Sequence, residues 1–262
     1  MKRGLFVAFS TLMLCSLLLL ITVGTTQAYD ADYVRIEYPT IVEPTIDGMW
    51  TSDDEWTDGD VTMINENVTF RSTWSSGGVD ITTNFVIEIL NDNTNDTGDY
   101  WQICSDGDTL GGSTPQTDDF KIEFVGHTDL KVYQGDGTGW TEVTPDAGEL
   151  FFANSISASP TSSTPHWIAE FMFLKNTGVV QMGATWVLRV AVYDESNSAA
   201  GVQAWPPPSD PDVPDGWGLN NYSTEPIPEG LSFGVVVLLS SVAVLIASHY
   251  FRKRSSSRKP EK

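Results

Sequence analysis

Apolar and polar residues alternate along many short segments of this chain. In one of the clearest segments Phe85, Ile87 and Ile89 fall on one face. The same period of two runs through three further segments, 120–124, 167–173 and 186–192. Successive side chains of a strand point to opposite faces, so this period predicts strands with one buried face. Turn-forming residues separate the segments, and the pattern therefore predicts an all-β domain, an antiparallel β-sandwich.

The charge pattern divides the chain into an acidic body and two basic ends. Of 35 acidic residues 34 lie between residues 29 and 230, where only six of the 14 basic residues lie. A nucleic-acid-binding protein needs a basic face to meet phosphate, so we expect no nucleic-acid partner. The 40% apolar and 11% aromatic content excludes a disordered acidic tail, because such tails lack the residues that build a core.

The N-terminal segment has the pattern of a secretory signal peptide. Lys2 and Arg3 precede an apolar run that reaches Val23, and small residues follow up to Ala28. We predict a signal peptide over residues 1–28. An uncleaved N-terminal anchor is the alternative, since the apolar run approaches the ~20 residues that span a bilayer.

The C-terminal segment predicts a membrane anchor. Residues 231–247 carry no charge, and Arg252, Lys253 and Arg254 follow them. This pattern predicts a transmembrane helix over 231–250 and a basic cytoplasmic tail over 251–262, which leaves the acidic body outside the cell.

The segment before this helix is rich in proline. Seven prolines lie between residues 205 and 230. They favour extended chain and predict a stalk over 205–230, so that the sandwich domain covers 29–204. The run Pro226-Ile227-Pro228-Glu229-Gly230 before the helix resembles the Pro-Glu sorting signals of archaeal and bacterial surface proteins. Plain anchoring and proteolytic processing both remain open.

Tryptophans near loops are the candidates for ligand contact. Sugar binding needs exposed aromatic planes with polar side chains nearby. Trp74, Trp101 and Trp140 lie at strand ends next to loops, and we predict that they form a sugar platform. Trp167 and Trp186 lie on alternating apolar faces, which predicts a place in the core.

Two oxygen-rich loops are the candidates for calcium binding, because calcium takes six to eight oxygen ligands. One loop carries Asp92, Asp96 and Asp99, and the other carries Asp106 and Asp108. A solvated acidic turn without a metal is the alternative.

Three sequons supply possible N-glycosylation sites. The acceptor residues are Asn67, Asn95 and Asn221.

Several motifs together resemble a known family. Residues 44–48 read Pro-Thr-Ile-Asp-Gly, and an acidic, aromatic run ending at Trp56 follows them. Three later strand motifs occur in order, at 85–92, 118–124 and 166–171. Together they resemble the family 9 carbohydrate-binding modules and their DOMON-like relatives. The resemblance implies a β-sandwich that binds glycans without catalysis, often with structural calcium.

Other functions have weaker support in the sequence. A structural or adhesion protein of the cell envelope, with the same fold and no sugar site, is the main alternative. We expect no enzyme, because the chain carries no nucleophile elbow, phosphate loop or histidine-rich zinc site. A haem site of the DOMON type would need one methionine and one histidine, and nothing in the sequence marks such a pair.

Overall fold

A computed structural model describes residues 28–76, 81–175 and 178–225. Regular structure in these ranges consists of strands and two short 3-10 helices, at Glu195–Ala200 and Pro214–Gly216, which confirms the all-β prediction. The strands are β1 Asp30–Pro39, β2 Asp60–Met63, β3 Val68–Ser76, β4 Ile81–Ile89, β5 Tyr100–Asp106, β6 Asp119–Val125, β7 Asp129–Gly135, β8 Trp140–Val143, β9 Leu150–Ser159, β10 Ser162–Leu174, β11 Thr185–Tyr193, β12 Gln203–Trp205 and β13 Gly218–Tyr222.

The strands form one curled sheet that folds into two facing halves. Its order is β8-β7-β6-β5-β11-β13-β1-β3-β4-β10-β9, with β12 paired to β11 and β2 paired to β3. Phe85 and Phe171 from one half share a buried cluster with Ile103 and Leu188 from the other. The protein is therefore sandwich-like, with its main core between the two halves.

The strand pairing departs from the antiparallel prediction at β1. This strand pairs in parallel with β13 on one side and with β3 on the other. The contact with β3 is short, through Tyr38 opposite Thr73 and Pro39 opposite Trp74. β1 thus joins the two halves of the sheet, while the remaining pairings are antiparallel.

The segment assigned to a stalk is folded onto the domain as far as Tyr222, so that assignment is wrong for residues 205–222. β12 adds to the edge of β11, and β13 lies between β11 and β1. Trp205 and Trp217 are both buried, so apolar burial and strand pairing outweigh the preference of the prolines for an extended spacer.

The Pro-Thr-Ile-Asp-Gly motif at residues 44–48 has a structural role. Glu170 of β10 accepts hydrogen bonds from the backbone N–H groups of Asp47 and Gly48, at 3.0 and 2.8 Å, and from the indole N–H of Trp56 at 2.9 Å. Trp50 and Trp56 pack with Val86 and Ile168 on the outer face of β4 and β10. The motif therefore closes a second, smaller core.

The predicted terminal segments fall almost entirely outside the described residues. These are the signal peptide over 1–28, of which only Ala28 is described, the helix over 231–250 and the tail over 251–262. Within the described ranges, no helix has the length and apolar character that crossing a membrane requires.

Candidate functional site

An open cavity of about 560 Å³ lies on the outer face of β5 and β11, next to the proline-rich loop 207–211. We call it the tyrosine cavity. Its wall includes Tyr100 and Gln102 of β5, Arg189 of β11 and Gln203 of β12. Its volume lies within the range of ligand sites in proteins, roughly 300–1,000 Å³.

Strand alternation explains why polar side chains line this face. On β5 the apolar residues Trp101 and Ile103 turn into the core, so Tyr100 and Gln102 point outward. On β11 Arg189 lies between two core residues and therefore also points outward. The register places these residues on adjoining strands.

Two tyrosines stack at one end of this face. Tyr100 and Tyr193 lie opposite each other on β5 and β11, and their ring centroids are 5.5 Å apart with 16° between the planes. Burial raises the pKa of Tyr100, so its hydroxyl stays protonated and can both donate and accept hydrogen bonds.

A hydrogen-bond network fixes the polar part of the cavity. Arg189 donates to Gln102 Oε1 and, at 3.0 Å, to the carbonyl oxygen of Ser209. Gln102 Nε2 in turn donates to Glu123 Oε2 at 3.0 Å. Arg189 and Gln102 are only 2% and 6% exposed, so the protein holds both side chains in place. The lining residues carry one positive charge, on Arg189, and one negative charge, on Asp210, so the cavity has no net charge. This balance favours a neutral, hydroxyl-rich ligand over a charged one.

The predicted sugar platform is not assembled. Trp101 is 1% exposed, and its ring meets the ring of Trp167 edge-on in the core at 4.4 Å. Its assignment as a sugar-binding residue is wrong, because the alternation along β5 turns it inward while Tyr100 and Gln102 turn outward.

The other two platform tryptophans lie in separate places. Trp74 contacts Tyr222 with ring centroids 5.7 Å apart, and the pair lines a smaller cavity of about 340 Å³. Trp140 is on β8, at the far end of the sheet order, and stacks in parallel with Trp217 at 6.4 Å. Its indole N–H donates to Asp212 at 2.9 Å. Each is partly buried against its own neighbours.

The first predicted metal loop forms a buried acidic cluster. Carboxylate oxygens of Asp92, Asp99 and Asp194 lie within 4.8 Å of one another, and all three residues are at most 2% exposed. Asp92 Oδ1 accepts hydrogen bonds from Thr94, but Asp92 Oδ2 meets no donor in the described part of the chain. Burial raises the pKa of Asp92. We call this group the first acidic cluster.

Asp96, the third aspartate of the predicted metal loop, is not part of the first acidic cluster. Asp96 accepts a hydrogen bond from Thr94 and lies outside the group of mutually close oxygens. Asp99 accepts a hydrogen bond from His127 at 3.0 Å. Sequence reasoning missed Asp194, because it directly follows β11, about a hundred residues from the predicted loop.

A second acidic cluster lies at the other end of β5, ~20 Å away by the rise of a strand. Asp106, Asp108 and Asp118 bring carboxylate oxygens within 4.8 Å of one another. Three backbone N–H groups already donate to Asp106, those of Asp108, Thr109 and Gly111. Burial and the neighbouring carboxylates raise the pKa of the adjacent Asp119 to about 8.

The three predicted glycosylation acceptors differ in their surroundings. Asn95 is exposed in the loop after β4. Asn67 is half-buried just before β3 and lines a cavity of about 430 Å³. Asn221 lies in β13 between two neighbouring strands, and its side chain accepts a hydrogen bond from Thr185 at 3.1 Å.

Fold and site together define a β-sandwich-like protein with an open, polar cavity on one outer face. Comparison with solved structures finds a similar fold in a family 9 carbohydrate-binding module from Caldicellulosiruptor kristjanssonii in complex with glucose. The TM-score is 0.51 and the identity 13%, over 75% of this chain and 100% of the other. A second structure, that family's module from the same organism with cellotriose, has a TM-score of 0.49 and 14% identity, over 73% of this chain and 95% of the other.

No family model matches this sequence, and no curated protein matches it significantly. At this identity the structural likeness shows the fold alone.

Proposed function

We propose that this protein is a non-catalytic glycan-binding module. The tyrosine cavity carries the proposal. It combines the aromatic ring of Tyr100 with donors and acceptors that the protein holds in fixed positions, which is the combination that sugar rings and hydroxyls require. The fold it shares with a module solved with glucose agrees with this function.

The first test of the proposed site is a substitution of Tyr100. We expect Tyr100→Ala to weaken sugar binding about tenfold, because truncating an aromatic contact in a binding site costs about 1–2 kcal/mol. The measurement is calorimetric titration of the full chain with neutral mono- and trisaccharides, namely the gluco-, xylo-, manno- and galacto-series, glucose and cellotriose included.

The matched control is Tyr133→Ala. Tyr133 is also half-exposed on the outer face of this half of the sheet, on β7, and it does not line the cavity. Its loss should leave the affinity unchanged. If no sugar of the panel binds the wild-type chain, the sugar site is ruled out. That result would favour the alternative function, a structural or adhesion protein of the cell envelope.

We propose calcium as the structural ion of the protein, held in the first acidic cluster by Asp92, Asp99 and Asp194. The donor set fits a hard cation, since three buried carboxylates converge and Asp92 Oδ2 meets no hydrogen-bond donor among the described residues. A bound cation would offset the repulsion among them and tie the loop after β4 to the end of β11.

We propose that the domain faces outward from a cell membrane, attached by a single helix over residues 231–250 with the C-terminus in the cytoplasm. The charge pattern of the sequence supports this placement, and so does the Pro-Glu run before the helix. Expressed in a bacterial or archaeal host, the full chain is expected in the membrane fraction, and a chain ending at residue 225 is expected to be secreted. Equal secretion of both would contradict anchoring.

A further inference from the structure

A second cavity, of about 430 Å³, opens beside the tyrosine cavity. Amide side chains dominate its wall: Asn65, Asn67, Asn91, Asn197 and Gln203. We call it the amide cleft. It lies at the ends of β2, β4 and β11, where the loops after these strands meet.

The two cavities adjoin each other. Asn65 and Gln203 line both of them, and Asn65 Nδ2 donates a hydrogen bond to Gln203 Oε1. This pair forms the boundary between the cavities. An elongated ligand that occupies both cavities would therefore cross the side-chain amides of Asn65 and Gln203.

The chemistry of the amide cleft selects for a neutral ligand. Each amide offers two N–H donors and a carbonyl acceptor, which matches hydroxyl groups that donate and accept. Among the residues lining the cleft Glu66 carries the one charge, and it is exposed. An anionic sugar or a phosphate would meet no cation there, and this favours uncharged hydroxyl groups.

The far wall of the cleft is held by the first acidic cluster. Asn91 directly precedes Asp92, and the backbone N–H of Asn197 donates to Asp194 Oδ1 at 3.0 Å. Both amides are thus carried by chain segments that are fixed at a buried residue.

We infer that the amide cleft is a second subsite for the same glycan, so that the protein binds a neutral oligosaccharide of two or more residues in preference to a monosaccharide. This inference rests on the proposed function. The tyrosine cavity takes one part of the oligosaccharide by aromatic and polar contacts, and the amide cleft takes the next part by hydrogen bonds.

The test compares ligand lengths in the wild-type chain and in the double variant Asn91→Ala/Asn197→Ala. Calorimetric titration of the full chain uses the mono- and trisaccharides of the gluco-, xylo-, manno- and galacto-series. For the sugar that binds, we expect the trisaccharide to bind at least about tenfold more tightly than the monosaccharide. The double variant should lose about fivefold to tenfold in trisaccharide affinity and keep the monosaccharide affinity.

The control variant is Asn93→Ala, an exposed asparagine of the same loop that does not line the cleft. It should bind both ligands as the wild type does. Equal affinity of the wild type for the two lengths, or a double variant that binds the trisaccharide normally, would overturn the second subsite and leave the proposed function intact. Failure of every sugar to bind the wild type would overturn both. The thermal midpoint of each variant separates misfolding from lost contacts.

Discussion

A chain that ends after Pro206 is expected not to fold, although most of the predicted sandwich would still be present. The truncation removes β13, which pairs with β11 on one edge and with β1 on the other. Without it, β1 loses its main partner, because its contact with β3 covers only two residue pairs. The two halves of the sheet would then no longer be joined through β1.

The truncation also removes buried side chains. Asn220 is fully buried, accepts a hydrogen bond from Arg35 at 3.0 Å and donates one to Glu37 at 2.6 Å. Losing it leaves a buried cation and a buried carboxylate without a shared partner, at a cost of about 1–3 kcal/mol or more. Trp217, packed on Cys104 and Val187, would be lost as well.

The measurement compares fragments 29–206 and 29–225 by thermal unfolding and near-ultraviolet circular dichroism. The longer fragment should show a cooperative transition and a tryptophan signal from its packed core. The shorter one should show neither. If fragment 29–206 melts cooperatively at the midpoint of the longer one, residues 207–225 are a stalk after all.

Calcium is expected to raise the thermal midpoint of the protein by about 5–10 °C. An ion that binds only the folded state stabilises it by about 2.7 kcal/mol at a hundredfold excess over its dissociation constant. For a domain of this size, each kcal/mol shifts the midpoint by about 2–4 °C. The first acidic cluster makes the effect specific, since Asp92 Oδ2 lies among buried carboxylates and has no hydrogen-bond donor within the described ranges.

Melts of the full chain in EDTA and in millimolar calcium test this expectation. Asp92→Asn should remove most of the shift, because it removes one negative charge and one carboxylate oxygen from the first acidic cluster. Asp129→Asn is the matched control, since Asp129 is exposed and outside both clusters. An unchanged midpoint in EDTA would rule out the ion, and a full shift in Asp92→Asn would move it away from the first acidic cluster.

The alternation in the sequence predicted the core well. Phe85, Ile87 and Ile89 are buried, as are the alternating apolar residues of the segments 120–124, 167–173 and 186–192. Such predictions succeed because burial of one strand face is a local property with a period of two. The same period of two applies to β5, where Trp101 lies two residues before Ile103 and therefore on the same inward face. The alternation thus predicted the burial of Trp101 better than its position next to a loop predicted exposure.

The parts that could not be predicted depend on contacts between distant residues. β13 pairs with β1 across about 185 residues, and no local pattern distinguishes it from a proline-rich spacer. Asp194 joins Asp92 and Asp99 only because β11 lies beside β5. Arg189 carried a local signal, a charge between the apolar residues Leu188 and Val190, but its partner Gln102 is set by the sheet.

The most direct test of glycan binding in the tyrosine cavity is a nuclear magnetic resonance titration of fragment 29–225 with the sugar panel. The proposed function predicts saturable shift changes at the backbone amides of Tyr100 and Arg189 and at the side-chain amide of Gln102. Changes confined to the cavity of Trp74 and Tyr222, or no saturable change with any sugar, would contradict it.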